Sequence, residues 1–260
     1  MSILQSIVLG IVEGATEFLP ISSTAHLIIF SKLLNINQSD FVKSFEIIIQ
    51  FGAILSVLVL YYKEFLVSFE IQKRIFVAFI PTAVIGFLLY KIIKTIFFES
   101  LTTILFALFI GGIIIILFEK FFSQKIDAND SIAKLPYSKC FMIGVFQSLA
   151  VIPGVSRSAA TIIGGLSLNI KRTAIVEFSF LLAVPTMLAA SVLDVLKSAP
   201  SFSADQFGVL TVGFVVSFVV ALLSIKFLIN FVKKQNFIPF GIYRIIISII
   251  FSIFMFFKLL

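Results

Sequence analysis

The sequence lacks tryptophan altogether and contains only one cysteine, Cys140, and one histidine in 260 residues. A single cysteine excludes an internal disulfide, and we expect Cys140 to pack as a small apolar side chain. Charge is also scarce, since 13% of the residues are charged while 60% are hydrophobic and the mean hydropathy is +1.17. A soluble domain of this length could not bury so much apolar surface. The composition therefore predicts an all-α, polytopic membrane protein.

The net charge of +7 does not indicate a nucleic acid partner. Most lysines and arginines lie between apolar runs, where they set the topology and contact lipid headgroups. We therefore expect membrane lipids, and no nucleic acid, as partners. The sequence leaves open whether the chain forms a homo-oligomer.

Six apolar runs are long enough to cross the hydrocarbon core of a bilayer, which is about 30 Å thick. They cover residues 45–62, 75–90, 101–118, 175–193, 207–229 and 240–257. Two further apolar regions, 3–34 and 140–170, are interrupted near their middles by proline and polar residues. Because irregular backbone at membrane depth is tolerated only where it is buried or lines a cavity, these two regions are predicted to be re-entrant helical hairpins.

The order of these elements predicts one integral-membrane domain built from an inverted repeat. Repeat one covers residues 1–118, a polar cytoplasmic linker covers 119–139, and repeat two covers 140–260, each repeat being a hairpin followed by three spans. The halves also match weakly in sequence, because Gly10 precedes Ser22 by the same distance as Gly144 precedes Ser156. An odd number of spans in each half inverts the second copy, and such transporters and enzymes bind near the midplane, where broken helices meet.

The first interrupted region carries an acidic pair inside apolar sequence. Glu13 and Glu17 are four residues apart and so share a helix face, where like charges repel unless a cation, a proton or a basic partner compensates. Pro20 then breaks the helix, and Ser22, Ser23, Thr24 and His26 follow directly. Charge at membrane depth costs at least about 2.5–3.5 kcal/mol on insertion scales, which favours a functional site. His26, three residues after Ser23, is expected to share its helix face and to serve in proton transfer.

The second interrupted region, Pro153-Gly-Val-Ser-Arg-Ser158, predicts a turn that leads into a helix N-terminus. Free backbone N–H groups and the helix dipole favour an anion there, and the planar fork of Arg157 matches phosphate oxygens. Packing of small residues would explain the glycine but not Arg157. A second arginine, Arg244, lies one turn inside the last span and is expected to extend towards the membrane surface.

At this point the chain resembles a known family. Glu13-Gly-Ala-Thr-Glu17-Phe-Leu-Pro-Ile-Ser-Ser-Thr-Ala-His26 and Pro153-Gly-Val-Ser-Arg-Ser158 are similar to the two signatures of the undecaprenyl-diphosphate phosphatases of the bacitracin-resistance (BacA) type. The similarity extends to Phe45-Glu-Ile-Ile-Ile-Gln-Phe-Gly52 and Phe178-Ser-Phe-Leu-Leu-Ala-Val-Pro185 and covers the chain in the expected order.

The resemblance implies a multi-pass enzyme of the bacterial plasma membrane that removes the terminal phosphate from undecaprenyl diphosphate. The lipid carrier for cell-wall polymers is thereby regenerated, bacitracin resistance is conferred, and the site opens to the extracytoplasmic side. The expected site residues are Glu13, Glu17, Ser23, His26 and Arg157 for catalysis, and Ser22, Thr24, Ser156, Ser158 and Thr161 for substrate binding. The resemblance further implies a divalent cation, Mg²⁺ or Ca²⁺, for which Glu13 and Glu17 offer oxygen ligands.

The sequence leaves the nucleophile open between Ser23, His26 and water. A transporter or flippase of a phosphorylated polyprenyl lipid is the main alternative function, because inverted repeats with broken helices are common among transporters. An intramembrane serine protease is a more distant one, since a cradle that bears arginine suits phosphate better than a peptide.

The distribution of basic residues generates a topology prediction. Twelve basic loop residues lie on one side of the six-span arrangement and six on the other, so the first side is predicted to be cytoplasmic. In a Cys140→Ser background, single cysteines introduced at positions 129 and 201 are labelled in intact cells with an impermeant thiol reagent. We expect labelling at 201 only. Labelling at 129 and not at 201 would reverse the orientation and the side on which the site opens.

Overall fold

The computed structural model describes residues 1–37, 39–92, 100–122, 131–198 and 206–257, and positions 129 and 201 of the topology prediction lie outside them. Every regular element in the described part of the chain is helical. Eleven α-helices follow one another in this order: α1 Ile3–Thr16, α2 Ser23–Leu33, α3 Asp40–Leu60, α4 Tyr62–Leu66, α5 Phe69–Ile92, α6 Leu101–Phe121, α7 Tyr137–Ser148, α8 Arg157–Ser167, α9 Arg172–Ser198, α10 Phe207–Val232 and α11 Ile238–Phe256.

Six of these helices are long and apolar enough to cross a membrane, namely α3, α5, α6, α9, α10 and α11. The six predicted spans are therefore confirmed, and with them the prediction of a multi-pass helical membrane protein. Most of these helices extend beyond the predicted apolar runs, because polar residues continue the helix past its apolar part. Helix α9, for example, begins at Arg172 and ends at Ser198, whereas the apolar run covers 175–193.

The two interrupted regions form pairs of short helices, α1–α2 and α7–α8. These helices are 14, 11, 12 and 11 residues long. At about 1.5 Å per residue each measures roughly 16–21 Å, which is too short to cross a bilayer. The predicted breaks thus occur where the sequence places them, while the re-entrant course of the pairs in the bilayer stays a prediction.

Each short pair packs against a long helix from the other half of the chain. Helix α1 contacts α10, and α7 contacts α5. Glycines allow these close approaches: a Cβ atom on Gly10 would lie 2.8 Å from the carbonyl oxygen of Gly213, and one on Gly144 would lie 2.0 Å from that of Ala78. Because each half supplies the support for the other half's short pair, the two interrupted regions are held in one core.

At one end of the bundle, a carboxylate joins three long helices. Glu119 of α6 accepts hydrogen bonds from both terminal nitrogens of Arg172 in α9 and from the backbone N–H of Phe237 just before α11. The Glu119 side chain is 5% exposed, so this ion pair is largely shielded from water. The contact fixes α6, α9 and α11 relative to one another, and these helices carry residues of the site described next.

Candidate active site

The two interrupted regions meet at their turns, and both turns contain a serine with an unusual backbone. Ser22 precedes α2 with φ 71°, and Ser156 precedes α8 with φ 76°. Residues other than glycine adopt this region rarely, at a cost of about 1–3 kcal/mol, and they do so mainly at functional sites where surrounding contacts enforce it. The hydroxyl of Ser158 donates to the Phe18 carbonyl oxygen at 2.8 Å and so links the second turn to the first.

Glu17 is the residue that joins the two motifs. One of its carboxylate oxygens accepts a hydrogen bond from Arg157 Nη2 at 2.9 Å, and the other accepts from the hydroxyl of Ser23. The side chains of Arg157 and Glu17 are only 12% and 8% exposed. A buried ion pair of this kind is stable only when its remaining hydrogen-bonding capacity is met, which Ser23 does for Glu17.

Arg157 is held on its other side by α9. Its Nη1 donates to the carbonyl oxygen of Ser179 at 2.7 Å, and the Ser179 hydroxyl lies 3.1 Å from that of Thr161. Arg157 Nε is buried and has no hydrogen-bond partner in the described part of the chain. The guanidinium is therefore oriented by protein contacts while one donor stays available for an anion.

The first turns of α2 and α8 differ in their capping. The Ser156 hydroxyl accepts a hydrogen bond from the backbone N–H of Ala159, whereas Ser22 makes no side-chain capping hydrogen bond. The N-terminus of α2 therefore has backbone N–H groups that its cap residue does not satisfy, and such groups favour an anion. Thr24, in this first turn, is partly exposed.

His26 is oriented differently from the expected pairing with Ser23. Its Nδ1 lies 2.7 Å from the Ser22 carbonyl oxygen, and its Nε2 lies 2.8 Å from the hydroxyl of Tyr243 in α11. Ser23 is the first residue of α2, and helical side chains tilt towards the N-terminus, so its hydroxyl points back to Glu17. The structure thus pairs Ser23 with a carboxylate and His26 with a phenol.

Glu13 lies one turn before Glu17 and is completely buried. No N–H or O–H donor of the protein among the residues described contacts its carboxyl oxygens, and the Glu17 carboxylate lies within hydrogen-bonding reach, so the two could share a proton. Glu17 and Glu46 are close enough to repel its negative charge, and Arg157 is close enough to attract it. Because a buried carboxylate without partners is strongly disfavoured, Glu13 requires a proton or a cation.

Arg244 does not extend to the membrane surface, and the sequence-based expectation for it was wrong. Its side chain is 0% exposed and donates hydrogen bonds of 2.8–3.3 Å to five backbone carbonyl oxygens. The acceptors come from both turns and from α6: Pro20, Gly154, Val155, Ala107 and Leu108. Five carbonyl dipoles replace the water that a guanidinium would otherwise seek, so the charge is tolerated inside the protein.

The space for this guanidinium is provided by glycine. A Cβ atom on Gly111 would lie only 2.1 Å from Arg244 Nη2. Gly154, which accepts one of the hydrogen bonds, has φ 96°, a conformation that other residues rarely adopt. The second turn and α6 are thus shaped around the arginine.

The ten predicted site residues lie in the two turns and in the helices α1, α2 and α8 beside them, and three further residues contact the turns or these side chains. The additional residues are Ser179, Tyr243 and Arg244. Ser179 lies in the segment 178–185 to which the resemblance extends but was assigned no role, and Tyr243 is distant along the chain from both motifs. An arginine inside an apolar span was itself a signal for Arg244, since such residues usually face the protein interior.

Replacing Arg244 by lysine tests its role in holding the turns. A lysine ammonium has three donors, so at least two of the five carbonyl oxygens lose their partner, and each buried unpaired group costs about 1–3 kcal/mol. We expect Arg244→Lys to lower the thermal unfolding temperature in detergent by several degrees. Ser248→Ala is the control, because that hydroxyl bonds only the Ile245 carbonyl in its own helix. Equal unfolding temperatures for Arg244→Lys and the wild type would contradict this role.

Comparison with known proteins shows the family of this chain. The family model for the bacitracin resistance protein BacA matches residues 6–250. A relative from Persephonella marina, named undecaprenyl-diphosphatase, is 53% identical over 98% of this chain and 99% of its own length. Relatives of the same name from Aquifex aeolicus and a Sulfurihydrogenibium species are 51% and 52% identical over 97% and 96% of this chain, and 98% of each relative. The chain therefore belongs to the bacitracin resistance protein BacA family.

Proposed function

We propose that this chain hydrolyses undecaprenyl diphosphate to undecaprenyl phosphate and inorganic phosphate. The observation that carries the proposal is the contact of Ser23, Glu17 and Arg157. It places a hydroxyl, a carboxylate and a guanidinium suited to phosphate side by side. Relatives at 51–53% identity over nearly the whole chain carry the name undecaprenyl-diphosphatase. A membrane protein of six apolar helices suits a substrate whose prenyl tail stays in lipid.

The diphosphate head group is proposed to bind between the N-termini of α2 and α8. The uncapped backbone N–H groups of α2 and the unpartnered Nε–H of Arg157 would then face phosphate oxygens. Thr24 is partly exposed, whereas the side chains of Ser22, Ser156, Ser158 and Thr161 are more than nine-tenths buried. The head group therefore has to displace side chains as it enters, and we assign the four buried residues to shaping the turns.

Ser23 is our choice of nucleophile because its hydroxyl already donates to a carboxylate. Its oxygen would form a bond to the terminal phosphorus while the bond from that phosphorus to the bridging oxygen breaks, releasing undecaprenyl phosphate. The Ser23 proton would pass to Glu17, and Arg157 would offset charge on the phosphoryl oxygens, where phosphoryl transfer gains most. Water would then attack the phosphorus of the phosphoserine as the bond to the Ser23 oxygen breaks, Glu17 would return its proton to that oxygen, and inorganic phosphate would leave. The proton that the water loses would pass to His26, whose Nε2 contacts the Tyr243 hydroxyl.

Glu13 is the residue that we propose to hold a divalent cation. Carboxylate oxygens are the ligands that Mg²⁺ and Ca²⁺ prefer, and no N–H or O–H donor among the described residues contacts this buried side chain. The described residues contain no group of three or more His, Cys, Asp or Glu side chains that could hold a metal ion, so the other ligands would have to come from phosphate oxygens or water. Glu17 is a weaker candidate ligand than the sequence indicated, because Arg157 and Ser23 already engage its two oxygens. When bound, the cation would neutralise charge on the phosphate oxygens.

We further propose that the protein lies in the bacterial plasma membrane with its site open to the extracytoplasmic side. The twofold bias of basic loop residues supports this orientation. The family's name supports the proposal that overproduction confers bacitracin resistance.

The activity is tested by phosphate release from a long-chain prenyl diphosphate by the purified protein in detergent. We expect release by the wild type and a loss of about 100-fold or more for both Arg157→Ala and Arg157→Lys, because one ammonium cannot contact Glu17 and Ser179 as the guanidinium fork does. Arg74→Lys, whose guanidinium contacts Glu70 and the Leu135 carbonyl oxygen and neither turn, is the matched control and is expected to retain activity. Absence of release by the folded wild type would favour the transporter or flippase alternative, and an active Arg157→Lys would reduce Arg157 to a general positive charge.

The cation is tested by metal titration of the wild type and of carboxamide variants. We expect Glu13→Gln to raise the metal concentration for half-maximal activity by about tenfold or more, because one charged ligand is lost. We expect Glu17→Gln to lower kcat chiefly, since it weakens the contacts to Arg157 and Ser23. Glu70→Gln, at an exposed ion pair, serves as the control. Full wild-type activity in strong chelator, after exhaustive metal removal, would exclude a role for the cation.

A further inference from the structure

The hydrogen bonds of His26 determine which of its nitrogens carries the hydrogen. Nδ1 lies 2.7 Å from the carbonyl oxygen of Ser22, which is an acceptor only, so Nδ1 is the donor in this contact. In the neutral ring the lone pair is therefore on Nε2. Any proton that His26 takes or gives during the reaction must pass through Nε2.

Nε2 does not face Ser23 but the hydroxyl of Tyr243, at 2.8 Å. The two rings are stacked, with centroids 5.6 Å apart and planes inclined by 6°. A phenol hydroxyl both donates and accepts, so it can donate to the lone pair of neutral His26 and accept from Nε2–H after protonation. The contact can thus persist through a proton-transfer cycle, which few other side chains would allow.

The exposure of the two rings differs strongly. His26 is 2% exposed, whereas Tyr243 is 38% exposed. Helix α11 therefore places beside the buried imidazole a ring that reaches the protein surface, with its hydroxyl at Nε2.

The positive charge of Arg244 is a second reason why a phenol hydroxyl suits the position next to His26. Arg244, also on α11, acts on His26 electrostatically and is the charged group that does so in the described part of the chain. A second positive charge on the imidazole beside this guanidinium needs an acceptor for its Nε2–H. The oxygen of Tyr243 is positioned to provide one.

We infer that Tyr243 is a positioning residue for the reaction proposed above, acting through His26. It keeps the imidazole in the orientation that the Ser22 carbonyl oxygen also fixes, and its hydroxyl stays hydrogen-bonded to Nε2 in both protonation states of the ring. The inference rests on the proposed function for its kinetic consequence, while the contact itself is independent of the substrate.

A double-mutant cycle tests this dependence on His26. Phosphate release is measured for the wild type, Tyr243→Phe, His26→Gln and the double variant. We expect Tyr243→Phe to lower kcat about tenfold with little change in KM, and to cause no further loss in the His26→Gln background, because both changes remove the same function. Tyr137→Phe, a partly exposed tyrosine on α7, is the matched control and is expected to be neutral. Equal losses in both backgrounds, or an unchanged kcat in Tyr243→Phe, would overturn the inference.

A second measurement does not depend on activity. Because His26 is the only histidine of the chain, protein purified without a histidine tag and labelled with ¹⁵N-histidine gives ring signals that need no assignment. We expect a hydrogen on Nδ1 in the wild type and a change confined mainly to the Nε2 shift in Tyr243→Phe. An unchanged Nε2 shift would overturn the inference. If the wild type released no phosphate, the proposed function would fail, and this measurement would still decide the contact between Tyr243 and His26.

Discussion

A buried guanidinium that is satisfied entirely by backbone carbonyl groups is the interaction on which the rest of the site depends. Arg244 binds carbonyl oxygens just before Ser22 and just before Ser156, so one side chain fixes both turns relative to each other. The two serines can then keep positive φ values that an unsupported turn would relax. Together with the contacts of Ser158 with Phe18 and of Arg157 with Glu17, this connection fixes the separation of the N-termini of α2 and α8, between which we propose that the phosphates bind.

The second requirement of the site is charge balance away from water. Glu17 and Arg157 neutralise each other at low exposure, which avoids two uncompensated charges inside the membrane domain. Glu13, one turn away, is not part of this ion pair, so its negative charge has to be neutralised by a proton or a bound cation. The pair of Glu17 and Arg157 is thus neutral, and Glu13 is a position at which an added positive charge would be favourable.

The sequence predicted the architecture well because its signals were local. Six apolar runs and two interruptions specify spans and breaks through length, hydropathy and proline, and the six long helices agree with them. The candidate site residues were predicted because polar groups are costly in apolar sequence and because the two motifs resemble a known family, and their roles stay predictions. The inverted repeat stays a prediction, although α1 with α10 and α7 with α5 make reciprocal contacts.

The sequence could not predict which groups the candidate site residues contact. The spacing of Ser23 and His26 suggested that they pair, yet each is oriented by a residue outside that spacing, namely Glu17 and Tyr243. Arg244 was expected near the membrane surface because side-chain direction in a span depends on neighbouring helices, which a single sequence does not show. Contacts over large sequence separations, such as the one between Arg157 and Ser179, appear only when the fold is known.

The ion pair between Glu17 and Arg157 also bears on biogenesis, because its partners are 140 residues apart in the chain. At synthesis rates of about 5–20 residues per second, the first interrupted region is made on the order of ten seconds before its neutralising arginine. During this interval Glu17 and Glu13 have to remain protonated, hydrated or otherwise shielded. The contact that balances the charge of Glu17 can form only after the second interrupted region has been made.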